Sequence, residues 1–187
     1  NTAAGVDFYD LEYYRHWGRT FARQTNGTVL GWGSDNMDAL GVEPLSQSDR
    51  LSPTIIPGLS DVAEVATAGS HTCARTNTNL LSCWGNNNYG QLGLGDSTNR
   101  GSPQAVPIYD VLQIALGYRS TCARLLDGKV SCWGENGAGQ LGDGTATSRS
   151  WPTPVPGLSG VSAIALGDAY SCALSSVMGV LCWGANS

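Results

Sequence analysis

The chain carries little charge and almost no lysine. Charged residues make up 13% of its 187 residues, and Lys129 is the only lysine among ten basic residues. A broad nucleic-acid-binding surface needs clustered lysine and arginine, so this scarcity and the net charge of −5 argue against one. No apolar run approaches the ~18 residues of a membrane-spanning helix. Apolar residues nevertheless reach 41%, which is enough to build a folded core.

Residues suited to catalysis are also scarce. The only histidines are His16 and His71, whereas nucleophilic catalysis requires a base held close to its nucleophile. No pair of carboxylates recurs at a spacing typical of glycosidases, and no glycine-rich phosphate loop lies between a strand and a helix. Asp96 and Asp143 lie in loops without the run of oxygen ligands that calcium requires. We therefore expect no catalytic residues, no metal and no cofactor.

What the sequence does contain is a repeat of about fifty residues, rich in glycine. Cys-Trp-Gly occurs at 83–85, 132–134 and 182–184, and Gly31-Trp32-Gly33 is a fourth copy without cysteine. Gly-Gln-Leu-Gly follows two of these copies, and a proline closes each of the first three units, at Pro57, Pro107 and Pro156. The predicted units are 1–57, 58–107, 108–156 and 157–187, of which the last is incomplete.

Each unit predicts short strands and no long helix. A Val-x-x-Ile segment leads into Thr-Cys-Ala-Arg, then a turn, then the Cys-Trp-Gly strand. A proline-flanked segment such as 103–107 ends the unit and suits an edge strand, where a missing N–H is tolerated. Four short strands in about fifty residues are typical of a β-propeller blade, whereas a β-solenoid usually has a shorter repeat. We predict an all-β fold with about 3.5 blades of four antiparallel strands.

The six cysteines form three pairs with a constant spacing of ten residues: Cys73 and Cys83, Cys122 and Cys132, Cys172 and Cys182. In a hairpin folded about residue 127, the two members of a pair face each other across antiparallel strands at disulfide distance. The alternatives are free thiols or a zinc site, but zinc usually requires closer cysteines or additional histidines. Disulfides indicate an oxidising location: extracellular, cell-surface or periplasmic.

Other repeated residues are expected to be structural. The tryptophans should pack between blades, with each indole N–H donating to a backbone group. Asn87 and Asn136 follow Trp-Gly at a fixed offset and suggest Asx turns. Two sets of recurring arginines suggest ion pairs at strand ends or between blades: Arg23, Arg75 and Arg124, and Arg50, Arg100 and Arg149.

The third unit resembles a repeat of the regulator of chromosome condensation family. The matching phrases are Cys-Ala-Arg at 122–124, Gly-Lys-Val-Ser-Cys-Trp-Gly-Glu-Asn at 128–136 and Gly-Gln-Leu-Gly-Asp-Gly at 139–144. The likeness covers the chain after about residue 17 and is stronger to the cysteine-bearing extracellular version than to the nuclear one. It implies a seven-bladed propeller. The family includes a nuclear exchange factor for a small GTPase, secreted bacterial propellers and an inhibitor of β-lactamases, so the fold does not fix the function.

The length corresponds to about half of such a ring. The missing blades could belong to a longer polypeptide or to another chain, or four blades could close a ring with residues 1–17 supplying a strand. The aromatic segment 6–14 is expected to be the degenerate first copy of the Val-x-x-Ile strand, and a docking strand is the alternative.

Function is expected where the copies differ, because propellers bind through loops and the channel mouth at one face. Two positions vary: His71, Ser120 and Tyr170 lie two residues before a first cysteine, and Met37, Tyr89 and Ala138 lie in the asparagine-rich loop. Aromatic residues and arginine are favoured interface anchors. The candidate binding residues are therefore His71, Tyr89, Arg119, Trp151 and Tyr170, although Tyr89 or Trp151 could simply cover a neighbouring blade.

The sequence predicts a non-catalytic extracellular scaffold that binds a protein: another copy, another protein or the remainder of a longer chain. The alternatives are an exchange-factor-like regulator and a secreted carbohydrate-binding or enzymatic propeller. Asn26-Gly27-Thr28 is a glycosylation sequon on a predicted turn, which makes Asn26 a candidate glycosylation site.

Overall fold

The computed structural model describes residues 18–42 and 48–186, and the backbone of residues 11–14. These ranges form four antiparallel sheets and one short 3-10 turn at Asn36–Asp38. In each sheet the strands follow one another in chain order, so that every sheet is one blade. Three blades have four strands and the fourth has three within the described residues. The predicted all-β fold with about 3.5 blades is confirmed.

The strands are short and similar in length from blade to blade. Blade 1 contains β1 (Leu11–Tyr14), β2 (Arg19–Arg23), β3 (Val29–Gly33) and β4 (Arg50–Ile55). Blade 2 contains β5 (Val62–Ala68), β6 (His71–Thr76), β7 (Leu81–Gly85) and β8 (Arg100–Ala105). Blade 3 contains β9 (Val111–Leu116), β10 (Ser120–Leu125), β11 (Val130–Gly134) and β12 (Arg149–Pro154). Blade 4 contains β13 (Val161–Leu166), β14 (Tyr170–Ser175) and β15 (Gly179–Gly184).

The blades are arranged around an axis. The first strands of successive blades are neighbours: β1 lies beside β5, β5 beside β9, and β9 beside β13. The fourth strands β4, β8 and β12 form the rim, where most of their residues are exposed or half-buried. Pro53 and Pro103 lie in these rim strands, where the unpaired edge tolerates the missing N–H, as the prolines predicted.

The hydrophobic core lies between the blades rather than within one sheet. Leu81, Leu92 and the disulfide of blade 2 pack against Val111, Ile114 and Trp133 of blade 3. Val111 and Ile114 are the two apolar residues of the Val-x-x-Ile segment, and they face the preceding blade. Each such fully buried aliphatic side chain contributes about 1.5–3 kcal/mol. The repeat therefore specifies a stack in which each blade completes the core of its neighbour.

A shared hydrogen-bond pattern defines each blade joint, the contact between consecutive blades. The carbonyl oxygen of Gln91 in blade 2 accepts the Trp133 indole N–H at 2.9 Å and the Thr121 hydroxyl at 2.9 Å, both from blade 3. The other two joints repeat this arrangement: Ala39 accepts from Trp84 and Thr72, and Gln140 accepts from Trp183 and Ser171. The expectation that each indole finds a backbone partner between blades is confirmed for these three tryptophans.

A local shift in strand pairing requires the glycine that follows each tryptophan. The register between β11 and β12 shifts between Cys132 and Gly134, and Gly134 has a φ of +105°. A Cβ atom on Gly134 would lie 2.4 Å from the carbonyl oxygen of Arg119 on the adjoining strand. Positive φ and this close approach together require glycine. Blades 1 and 2 have the same shift at the same place.

Three disulfides join the pairs that the ten-residue spacing predicts: Cys73–Cys83, Cys122–Cys132 and Cys172–Cys182. In each pair the two residues are directly opposite in adjacent antiparallel strands, with Cα atoms 4.1 Å apart. The cross-strand position explains why the first unit lacks both cysteines together, since Phe21 and Gly31 are also opposite each other.

Blade 4 presents an open face. In blades 2 and 3 the disulfide is buried beneath the next blade, as for Cys132, which packs with Val161 and Ile164 of blade 4. Its counterpart in blade 4 is accessible, since Cys182 is exposed. Trp183 lies on the opposite face of the sheet, where its indole N–H donates to Gln140 of blade 3. The exposed side chains of Leu174 and Val180 extend the apolar character of this blade.

The described part of the N-terminal segment, residues 11–14, belongs to blade 1. Residues 11–14 form β1 and pair with β2, which is the position of the Val-x-x-Ile strand in the other blades. The alternative in which this segment completes the fourth sheet is therefore wrong for residues 11–14. Residues 6–10 of the aromatic segment lie outside the described residues.

Candidate functional site

One end of the blades gathers the longest connections. The turns between first and second strands and the loops between third and fourth strands emerge at this end, which we call the loop face. Here a cleft of about 450 Å³ lies between the first three blades. Its lining comes from all three: Asn36 and Met37 from blade 1, Ser70, Asn86, Asn88, Tyr89 and Gln91 from blade 2, and Tyr118 and Arg119 from blade 3. We refer to it as the Arg119 cleft.

Arg119 is held between two aromatic rings. The central carbon of its guanidinium lies 4.5 Å from the centroid of the Tyr89 ring and 5.0 Å from that of Tyr118. A guanidinium over a tyrosine face gains cation–π attraction of about 0.5–1 kcal/mol at an exposed site. Nη1 of Arg119 also donates to Glu135 at 3.4 Å, which is long for a charge-assisted hydrogen bond. The two ring contacts restrict the guanidinium, whereas the ion pair with Glu135 is long and therefore weak.

The backbone that presents Tyr89 is fixed by buried amide side chains. Its N–H donates to Oε1 of Gln91 at 2.9 Å, and Nε2 of Gln91 donates to Oδ1 of Asn86 at 3.1 Å. In blade 3 the N–H of Ala138 donates to Gln140 in the same way. The two loops therefore share one frame and differ in the side chain that it displays.

The asparagine after each Trp-Gly closes the same loop. Oδ1 of Asn87 accepts the N–H of Leu92 at 2.9 Å, and Oδ1 of Asn136 accepts that of Leu141 at 3.0 Å. Asp35 does the same for Leu40 in blade 1. These bonds reach five residues along the chain, so they replace the predicted Asx turn with a longer closure.

The loop carboxylates that could suggest calcium are already satisfied by protein donors. Asp96 pairs with Arg100 at 2.6 Å, and Asp143 pairs with Arg149 at 2.8 Å. Burial disfavours the ionised form of Asp143, but hydrogen bonds from Thr145 and the Arg149 guanidinium outweigh it and lower its pKa to about 2. No cluster of three or more potential metal ligands occurs within the described ranges. The recurring arginines Arg100 and Arg149 thus pair within their own blades.

The structure brings two of the five candidate binding residues together. Tyr89 and Arg119 come from different blades and meet in the cleft. Trp151 is 54% exposed on the rim strand of blade 3, and its ring crowds Gly95 in the loop of blade 2. Tyr89 also lines a second groove of about 440 Å³ at this place, so Trp151 lies at the margin of the same loop face.

The other two candidates lie elsewhere. His71 is fully buried at a blade joint, where Nε2 lies 2.9 Å from the Thr121 hydroxyl. It cannot meet a partner from solvent, and we remove it from the candidate binding residues. Tyr170 is 50% exposed on the open face of blade 4, with its ring against Gly167, and does not reach the cleft.

Sequence reasoning missed Tyr118. The turn before the second strand contains Gly69-Ser70 in blade 2 and Asp168-Ala169 in blade 4, but Tyr118-Arg119 in blade 3. Gly69 leaves room for the Tyr118 ring, since a Cβ atom there would lie 3.1 Å from it. The signal that could have identified Tyr118 is the difference between blades 2 to 4 in this turn, where only blade 3 has an aromatic residue beside an arginine.

The fold defines a β-propeller with blades of about fifty residues and a cleft in its loop face. The model of the regulator of chromosome condensation (RCC1) repeat matches residues 26–75, 81–124 and 127–174, and a second model of the same description matches 62–91 and 111–140. The chain therefore belongs to the RCC1 repeat family. Within the described residues, no helix has the length and hydrophobicity needed to cross a bilayer.

Relatives match only part of their own length. The ultraviolet-B receptor UVR8 of Arabidopsis thaliana is 33% identical over 92 residues, which cover 48% of this chain and 20% of UVR8. The human E3 ubiquitin-protein ligase HERC2 is 32% identical over 89 residues, covering 46% of this chain and 2% of HERC2.

Solved structures share the fold at lower identity. Prp20p of Saccharomyces cerevisiae superimposes on 96% of this chain and 45% of its own, with a TM-score of 0.83 at 22% identity. The superposition with human WBSCR16 covers 89% of this chain and 45% of WBSCR16, with a TM-score of 0.77 at 23% identity. The superposition with the ectodomain of the Physcomitrella patens receptor kinase CR4 covers 89% of this chain and 39% of the ectodomain, with a TM-score of 0.57 at 20% identity. This chain thus spans less than half the length of these propellers.

Proposed function

We propose that this protein is a non-catalytic, extracellular binding scaffold that contacts a partner protein through the Arg119 cleft. The observation that carries the proposal is the stacking of Arg119 between Tyr89 and Tyr118. Tyrosine and arginine are the residue types most enriched in binding hot spots, and these lie in a cleft instead of being scattered. Their backbone frame is rigid, so binding would cost little ordering of the loop.

The buried histidine supports a non-catalytic role. His71 is shut off from solvent, and burial lowers its pKa to about 3, with the nearby charge of Arg19 acting in the same direction. It therefore cannot act as a general base toward a substrate. Its ring serves the blade joint through its hydrogen bond with Thr121.

The disulfides support an extracellular location. Three bridges at equivalent places imply that the chain folds under oxidising conditions. The same fold forms the ectodomain of the CR4 receptor kinase, which is consistent with this location. Relatives of the family also bind proteins: Prp20p was described with its binding to Gsp1p and histones.

A second surface concerns assembly. The open face of blade 4, with Tyr170, Leu174 and Cys182, corresponds to the face that a following blade covers in blades 2 and 3. We propose that this face packs against further blades, from the same polypeptide or another chain, and that it is separate from the partner site.

Photo-crosslinking tests the partner site. A benzophenone amino acid in place of Met37, at the edge of the cleft, should capture a partner from the extracellular fraction of the source organism. Capture should be lost when Tyr89→Ala and Arg119→Ala are added. It should persist with Leu126→Ala, which removes a 63% exposed side chain at the opposite end of blade 3. Equal capture by all variants would refute the cleft as the binding site.

A further inference from the structure

The geometry of the Arg119 cleft points to an acidic protein segment as its occupant, with an aspartate or glutamate carboxylate received by Arg119. This inference rests on the proposed function and specifies the chemistry of the partner. It depends on three features of the cleft: its one charge, the orientation of that charge, and the polar groups around it.

Of the nine described residues that line the cleft, Arg119 alone is charged. The whole chain has a net charge of −5, so Arg119 is a local positive charge on an acidic chain. A cleft of about 450 Å³ has room for a side chain and some adjoining main chain, at the lower end of the range for small ligand sites. An anionic group is the one complementary to this site.

The stacked guanidinium is prepared for a carboxylate. Arginine presents its N–H donors in a rigid plane that matches the two oxygens of a carboxylate. Tyr89 and Tyr118 hold that plane, so little rotamer freedom remains to be lost on binding. Among the residues that the structure describes, only one donor contact engages the guanidinium, from Nη1 to Glu135 at 3.4 Å.

Glu135 acts as an internal competitor. It follows Gly134 at the end of β11, and its side chain is 27% exposed, so a shorter contact from an incoming carboxylate could displace it. Removing its charge while keeping its shape should strengthen binding of an acidic ligand. A purely structural ion pair would give the opposite result, because its loss would loosen Arg119.

The tyrosine faces favour a peptide over an anionic sugar. Sugars usually stack on open aromatic faces, but the ring faces of Tyr89 and Tyr118 that meet in the cleft are already covered by Arg119. The remaining lining is dominated by side-chain amides, including Asn36, Asn86 and Asn88, which can both donate to and accept from a peptide main chain.

A paired peptide array tests the inference on the intact chain. Each Asp- or Glu-containing peptide is printed beside its Asn or Gln counterpart, and binding of labelled protein is compared within pairs. For the best pairs we expect a preference for the acid of about tenfold or more, which is the effect of one charge-assisted hydrogen-bonded pair. Arg119→Ala should abolish this preference, Arg119→Lys should reduce it, and Glu135→Gln should increase it.

Lys129→Ala is the matched control. It also removes one positive charge, but at an exposed turn at the opposite end of blade 3, so the preference should persist. Equal loss in both variants would mean that only net charge matters and would overturn the inference. Binding to arrayed uronate or sulfated oligosaccharides that is lost in Arg119→Ala, without any acidic peptide preference, would make the occupant a glycan and also overturn it.

The outcomes also separate this inference from the proposed function. If peptides bind and Tyr89→Ala abolishes binding, but acids and amides bind equally, the cleft is a protein site with a different chemistry. If neither Tyr89→Ala nor Arg119→Ala changes the binding of any peptide, the cleft itself is not the site.

Discussion

Replacing His71 with glutamine should remove a pH dependence of folding that originates in the joint between blades 2 and 3. The Thr121 hydroxyl donates its hydrogen to the carbonyl of Gln91 at 2.9 Å, so toward His71 it can only accept. Nε2 of His71, 2.9 Å away, must therefore carry the hydrogen of the neutral ring. Glutamine can place an amide donor near the same point without a titrating group.

The expected change in the free energy of unfolding with pH follows from proton linkage. Burial, reinforced by the charge of Arg19, lowers the pKa of His71 from 6.5 to about 3 in the folded protein. Between these values the unfolded chain binds the proton and the folded protein does not, so the free energy of unfolding falls as the pH falls. From pH 7 to pH 5 this amounts to about 2 kcal/mol, a substantial part of the stability of an ordinary domain.

Urea unfolding followed by tryptophan fluorescence at pH 7, 6 and 5 measures the effect. The quantity of interest is the change with pH in the parent protein minus that in His71→Gln. The raised pKa of Asp35 acts in the opposite direction at lower pH, but both proteins share it and the difference cancels it. If the two proteins lose the same stability between pH 7 and pH 5, the buried neutral state of His71 is refuted.

Three further predictions concern the blades. In the 187-residue chain without further blades, mild reductant should open Cys172–Cys182 before the two buried disulfides, because Cys182 is exposed. Stepwise alkylation with mass spectrometry would show the order, and random order would contradict the open face. Trp133→Phe should lower the free energy of unfolding by about 2 kcal/mol, because volume and the indole hydrogen bond are lost. Trp183 is half-buried, so Trp183→Phe should lower it clearly less, and urea unfolding measures both changes. Gly134→Ala should lower the free energy of unfolding by about 2 kcal/mol or more, because the new Cβ atom would lie 2.4 Å from a carbonyl oxygen at positive φ. Gly144 also has positive φ, +79°, but open space around it, so Gly144→Ala should lower it by only about 1 kcal/mol. Equal melting temperatures of the two variants would contradict the close approach at Gly134.

The blade architecture could be predicted from the sequence because it depends on local, repeated rules. The ten-residue spacing of Cys122 and Cys132 around Asp127-Gly128 specifies a hairpin, its register and a cross-strand bridge together. The prolines of the rim strands likewise specify an unpaired edge. Three copies of each signal in one phase leave few other arrangements.

The cleft could be predicted only in part because it combines residues from different blades. Tyr89 was identified from its variation between copies and Arg119 as a residue type favoured at interfaces, but their contact depends on the rotation between blades 2 and 3, which no local pattern encodes. The exposure of His71 could not be predicted for the same reason. His71 is buried and contacts Thr121 across the joint, whereas its counterpart Tyr170 is half exposed, so variation between copies does not by itself indicate that a position faces solvent.

The division between constant and variable residues has a physical origin in the blade joint. The donors are side chains, so each joint keeps a tryptophan and a hydroxyl residue, Trp133 and Thr121 in blade 3 and Trp183 and Ser171 in blade 4. The acceptor is a backbone carbonyl, which any residue can supply, and it belongs to alanine in blade 1 and to glutamine in blades 2 and 3. The accepting loop is therefore held in place without being fixed in sequence. Substitutions such as Tyr89 for Ala138 can then accumulate at the loop face at little cost to the stack, which is why we place the partner site there.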